Sequence, residues 1–322
     1  MRRREFIQLA CGAAAVWPFA AHAQKSGRIF RLGLITGDRA SPRLAAFFDE
    51  LKALGFAEGQ NLDIVAGGSN LREDQLADAA ATLASEAPDV LLCVGDAAAR
   101  AALKATRTIP IVVLSTDLVA AGFARSFAHP GGNATGVSIL SAELDGKRQE
   151  ILMEAVPSVQ RMAALADLGA SPAGQLQTLQ NAARARNVEL MVFTPAAPDE
   201  IVPAIDEAKR GGAGALNVLA APLFSFNRRI VIERVAVQRL PAIYEWPEIA
   251  EDGGLIGYGP RLTSIYRQVA RLVAKVLRGA SPEDLPGEQP TTFDLVINLK
   301  TAKAMGLALP EALLLRADKV IE

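Results

Sequence analysis

Short apolar runs alternate with amphipathic stretches almost from end to end of this 322-residue chain, and that alternation restricts its fold more than any other feature. "IFRLGLI" (29–35) reads as a strand, and a helical stretch follows from Pro42 to Leu54. "GFAEGQNLDIVA" turns into a second strand, "REDQLADAAATLASEA" has helical spacing, and "PDVLLCVG" (88–95) is a buried strand ending in glycine. "DAAARAALKAT" and "IPIVVLST" (109–116) repeat the helix–strand order. The series resumes with "RMAALAD" (161–167), "VELMVF" (188–193), "GALNVL" (214–219), "LPAIY" (240–244) and "GGLIGYG" (253–259). Strands separated by helices of this length form βαβ units around parallel sheets, so the fold class is α/β. The chain is too long for one ordinary core and predicts two lobes, with a break near "HPGGNATGVSI" (129–139).

The first residues have a different character. "MRRREFIQLACGAAAVWPFAAHAQ" places a basic head before an apolar run from Phe6 to Ala21 and closes on Ala21-His22-Ala23. This is the layout of a removable export signal, and the paired Arg3-Arg4 point to the twin-arginine route. The run of 16 residues contains Pro18, and a spanning helix needs roughly 20 apolar residues. Gln8 and Leu9 are poor neighbours for a lipid-modified Cys11. Residues 1–23 are therefore expected to be cleaved after Ala23, which puts the mature chain in the periplasm.

Subtracting the leader narrows the chemistry. Cys93, His129 and Trp246 become the remaining residues of their types, so an internal disulfide is impossible. The formal net charge is −1, and no basic block suggests nucleic acid. "TGDRASPR" follows the first strand where a nucleotide site needs a glycine-rich phosphate loop. No GxSxG surrounds a serine, and His129 sits in a Pro-Gly loop where a solvated side chain is expected. The pairs Asp49/Glu50 and Glu251/Asp252 fall on polar stretches and read as solvated faces. Metal-ligand spacing is lacking. No cofactor is expected, and the chain does not read as an enzyme.

Binding residues are sought where α/β sheets place ligands, beyond the carboxyl ends of the strands. That rule selects Thr36 and Gly37 after the first strand, Gly95 and Asp96 after "VLLCV", and Ser115, Thr116 and Asp117 after "IVVL". Two roles are open to Asp96: capping the helix that it begins, or facing the cleft to pair with a donor or ammonium. The second lobe offers aromatics after strands: Phe224 and Phe226 in "APLFSF", Tyr244, Trp246 and Tyr258. They are either core or the walls of an apolar slot. Glu245, between Tyr244 and Trp246, either takes a cation or is an exposed loop charge. Phe224, Tyr244, Glu245, Trp246 and Tyr258 complete the candidate ligand-binding set.

Whole stretches carry a family resemblance: "FFDELKALGFAEGQNLDI", "TIPIVVLSTD", "HPGGNATGVSILSAELDGKRQEIL", "LPAIYEWPEIAEDGGLIGYGP", "YRQVARLVAKVLRGASPEDLPGEQPTTFDLVINLKTAKAMGLALP" and "RADKVIE". The chain resembles the bacterial ABC-transporter substrate-binding proteins of the type that includes tryptophan- and tyrosine-binding members, many of which begin with a comparable "RRREFI" signal. The resemblance implies the type I periplasmic-binding fold: two doubly wound Rossmann-like lobes joined by a three-segment hinge. Lobe 1 is then expected over 28–140 with a returning helix near 261–279, and lobe 2 over 141–258 with part of 286–322. The implied partners are a small-molecule ligand and an ABC permease with its cytoplasmic ATPase, the only route to the membrane. The alternatives are a receptor for a membrane sensor and an exported α/β enzyme. Similar proteins carry Thr or another small polar residue where this chain has Asp96, and "AGGSN" (66–70) replaces an aromatic and acidic segment. A negative charge at a helix start opposes the capture of an anion there.

Overall fold

The computed structural model describes residues 28–322 except 37, 38, 70, 140, 170 and 172. The expected leader (1–23) and the candidate Gly37 lie outside the described residues.

The first sheet has the order β2-β1-β3-β4-β5, all parallel. It comprises β1 (Phe30–Thr36), β2 (Leu62–Ser69), β3 (Val90–Val94), β4 (Ile111–Ser115) and β5 (Ala134–Ser138). The runs "VLLCV" and "IVVLS" are almost wholly buried, as expected of a parallel sheet covered on both faces. The covering helices are α1 (Pro42–Ala53), α2 (Glu73–Ser85) and α3 (Asp96–Ala105). Pro42 opens α1, where a missing N–H costs nothing. Leu44, Phe47 and Leu51 form the buried stripe of this helix.

Gly136 in β5 has a specific steric cause. A Cβ there would lie 1.9 Å from the Val113 carbonyl oxygen of β4, which is backbone and has no room to yield. Gly136→Ala is expected to lower unfolding free energy by about 1–3 kcal/mol, the usual cost of overpacking, measured by urea denaturation.

The second sheet has the order β12-β11-β10-β9-β8-β6-β7. Its strands are β6 (Arg161–Leu165), β7 (Glu189–Phe193), β8 (Ala215–Val218), β9 (Ala242–Tyr244), β10 (Ile256–Gly259), β11 (Asp294–Asn298) and β12 (Lys319–Ile321). Around it lie α4 (Ser141–Ala155), α5 (Ala173–Arg184), α6 (Ile201–Arg210), α7 (Pro222–Phe226), α8 (Arg228–Val237), α9 (Pro247–Glu251), α11 (Leu299–Met305) and α12 (Glu311–Leu314). The helix α10 (Leu262–Leu277) belongs with the first sheet: it packs along α1 and touches β3, β4 and β5. Its buried Ile265, Val269, Leu272, Val273 and Val276 form one helical face.

The parallel expectation fails at one place. β11 runs antiparallel to β10. The helix before β11, α10, packs on the first sheet, and the irregular segment 278–293 then leads the chain back into the second sheet at β11. Among the described residues the chain crosses between sheets after β5, after β10 and again before β11. Just before that last crossing, Glu288 lies beside β5, donating its N–H to Gly136 O and accepting from Ser138 N at 2.9 Å each.

Candidate functional site

A cavity of about 340 Å³ opens where strand ends of the two sheets face each other. The first lobe contributes Thr36, Gly95, Asp96, Ser115 and Thr116; the second contributes Ser225, Phe226, Glu245 and Trp246. Ile35, Leu71, Leu76, Val94, Leu114 and Ile139 make much of the wall apolar.

On the first lobe, Gly95 turns β3 into α3 with φ +96°, a backbone region that side chains rarely adopt. Gly95 itself is the N-cap, so Asp96 sits inside the first turn and does not cap the helix. Its carboxylate bridges sideways to the next strand end. Oδ1 accepts from Ser115 Oγ at 2.7 Å and from Thr116 N at 3.3 Å, and Oδ2 accepts from Thr116 Oγ1 at 2.6 Å. The neighbouring strands β3 and β4 end side by side, which is what brings these groups within reach.

On the second lobe, Glu245 is 5% exposed. Ser225 Oγ donates to its Oε1, and Trp246 Nε1 donates to Ser225 Oγ at 3.3 Å. Burial pushes the Glu245 carboxyl up to about 7; the Ser225 hydrogen bond, the Arg148 charge and Trp246 oppose that rise, while the Asp145 charge adds to it. Behind Glu245 lies an ion pair buried on both sides. Arg148 donates to Asp145 Oδ1 at 2.6 Å, to Tyr258 O at 2.8 Å and to Glu245 O at 3.2 Å. Asp145 also accepts from Gln175 Nε2 at 2.7 Å and Ala220 N at 3.3 Å. Burial pushes the Asp145 carboxyl up, and the Arg148 guanidinium pulls the other way.

Thr36, Gly95, Asp96, Ser115, Thr116, Glu245 and Trp246 thus meet at one cavity. Several of the other candidates do not. Phe224 is buried in the core, whereas Phe226, two positions on and about 200° round the helix, is 59% exposed and lines the cavity. Tyr244 is 1% exposed and its hydroxyl finds no partner, so it is a core ring. Tyr258 packs against Phe293 with ring centroids 6.4 Å apart. Asp117 folds back on its own turn, accepting from Val119 N at 2.9 Å and Ala120 N at 3.0 Å.

Three polar lining residues, Arg43, Ser225 and Tyr266, escape a reading by strand ends. Arg43 stands at the start of α1, just past the loop where the candidates after β1 stopped. Tyr266 comes from α10, far along the chain, and its buried hydroxyl lies beside Thr36 with the Arg43 charge nearby. The rule that helix starts after parallel strands face the ligand would find Arg43; nothing local marks Tyr266.

Reactive chemistry is sparse. The Cys93 thiol is pushed up to about 12 by complete burial, and His129 is exposed. Among the described residues no group of three or more His, Cys, Asp or Glu is placed to hold a metal ion. None of their helices is long and apolar enough to cross a membrane.

Two α/β lobes with a cavity between their strand ends are the fold of type I periplasmic binding proteins. A crystal structure of a conserved domain protein from Vibrio cholerae shares this fold with TM-score 0.83 and 26% identity, covering 91% of this chain and 100% of that one. The ABC domain in complex with L-Trp from Streptococcus pneumonia matches with TM-score 0.80 and 21% identity, over 91% of this chain and all of that one. In sequence, a tyrosine-binding protein of Clostridioides difficile (strain R20291) is 25% identical over 267 residues, 81% of this chain and 75% of that protein. The family model described as ABC transporter substrate binding protein matches residues 33–321. The chain belongs to that family, which is one of solute-binding proteins.

Proposed function

We propose that this chain is the periplasmic substrate-binding protein of an ABC importer, capturing a small organic solute between its lobes and handing it to a membrane permease driven by a cytoplasmic ATPase. The solute is an amino acid or another small metabolite with an aromatic or polar part. The observation that carries this reading is the cavity itself: about 340 Å³, largely apolar, with its polar groups gathered at Asp96–Ser115–Thr116 on one wall and Ser225–Glu245 on the other. That is the size and lining of a site for a small molecule. The tyrosine-binding relative and the fold shared with the L-Trp complex support an amino-acid-like solute. Capture needs no covalent step. Contacts made only in the closed form shift the population from open to closed, and the permease then reads the closed surface.

A thermal-shift screen of the mature protein against amino acids, aromatic acids and small polar metabolites tests the reading, because a ligand that binds only the folded state raises its melting temperature. Trp246 reports position. A ligand in the cleft is expected to change its fluorescence, and Trp246→Ala to weaken binding by roughly tenfold or more, as for an aromatic anchor. A ligand that leaves both unchanged binds elsewhere.

A further inference from the structure

We infer that the cleft selects solutes bearing a protonated amine, and that Asp96 receives it. This rests on the reading of the cleft as the ligand site and assigns its charge preference. Hydrogen-bond direction sets this preference. A carboxylate is acceptor-only, so both hydroxyls in contact with Asp96 must spend their single proton on it. Ser115 and Thr116 therefore turn only lone pairs toward the cavity that they line. The Thr116 amide is also directed to Asp96, leaving one of about four acceptor positions on the carboxylate for a ligand. The side chains of this wall form a patch of acceptors carrying a negative charge. An ammonium, with three donors and no acceptor, matches it; a carboxylate set there meets acceptors and a like charge.

The rest of the cavity agrees with a small amine on an apolar body. The ionisable residues lining it are Arg43, Asp96 and Glu245; Glu245 keeps its proton up to about pH 7, so Asp96 and Arg43 supply one charge of each sign, as an amine with or without a carboxylate requires. Arg43 lies near Thr36 and Tyr266, and it is available to the carboxylate of a zwitterion. Phe226 and Trp246, on the opposite lobe, offer ring faces to an aromatic or alkyl group.

Three probes sharing one indole ring separate the charges: tryptamine as cation, L-tryptophan as zwitterion and indole-3-propionate as anion. Calorimetric titration of the mature protein is expected to give tighter binding for tryptamine and tryptophan than for indole-3-propionate. Asp96→Asn is expected to weaken the two amines by roughly tenfold or more while leaving the anion unchanged or improved. The retained anion also shows that the variant is folded. Equal weakening of all three would make Asp96 a structural tie and overturn the inference. If indole-3-propionate binds the native protein as well as tryptamine does, or if the solutes that bind in the wider screen lack an amine, the charge preference is wrong while the cleft remains the ligand site. If no solute in the screen binds, both readings fall together.

Discussion

Arg148→Met is expected to lower the unfolding free energy by about 3–5 kcal/mol, the range for removing one partner of a buried ion pair. The side chains of Arg148 and Asp145 are 2% and 1% exposed. Removing the guanidinium strands the Asp145 carboxylate in a dry interior and takes a donor from each of two carbonyls, Tyr258 O and Glu245 O. These carbonyls matter for position as well as stability. Tyr258 is in β10, just before the chain crosses back to α10, and Asp145 lies in α4, just after the crossing from β5. The arginine therefore ties two strand ends of the second lobe to the helix that enters it. Urea denaturation checks the magnitude, and with roughly 2–4 °C per kcal/mol for a chain of this order the melting temperature falls by about 10 °C. Asp145→Asn combined with Arg148→Met is expected to recover part of the loss, because the stranded charge is then gone. A single-variant loss below about 1 kcal/mol would show that water reaches the pair and that the ties are not what holds this end of the lobe.

Glu245 gives the second large effect, and its sign is set by the direction of the shift. The folded carboxyl keeps its proton up to about pH 7, against an ordinary value of 4.5. Between those limits the folded state binds more protons than the unfolded one, so stability falls as pH rises through this window. The contribution is largest below pH 4.5, where both states are protonated, and lost above pH 7. A difference of this size corresponds to about 3 kcal/mol. Glu245→Gln keeps an acceptor for Ser225 without a charge to desolvate. It is expected to be more stable than the native protein by about 3 kcal/mol at pH 8 and nearly equal at pH 4.5. Comparing the two proteins as a difference removes the parallel contribution of Asp145, which burial also pushes up. Equal stability of the two at pH 8 would mean that Glu245 is already well solvated.

The fold was legible because its signals are local. Parallel strands buried on both faces read as continuous apolar runs, and "VLLCV" and "IVVLS" stand out for that reason. β11 did not stand out, since it enters the sheet antiparallel from a long irregular segment. The lining of the cavity was legible in outline. Strand ends located Gly95, Asp96, Ser115, Thr116, Glu245 and Trp246, but the same rule placed Phe224, Tyr244, Tyr258 and Asp117 beside a cleft that they do not line. Position along the chain says that a residue is near the cleft; it does not say which way the side chain turns. On a short helix one step is about 100°, so exchanging Phe224 for Phe226 exchanges core for cavity.

By itself, then, the order of apolar and amphipathic segments determined two α/β lobes with a cleft at their strand ends, because strand and helix signals depend on chemistry within a few residues. The tertiary structure alone decided what the cleft presents. Asp96 became an acceptor patch, not a cap, because β3 and β4 end side by side, so that the Ser115 and Thr116 hydroxyls spend their protons on it. Glu245 became a buried carboxyl, not a loop charge, because Ser225, Trp246 and the Arg148–Asp145 pair close around it. These are contacts between distant segments, and hydrogen-bond direction and desolvation exist only once those segments meet.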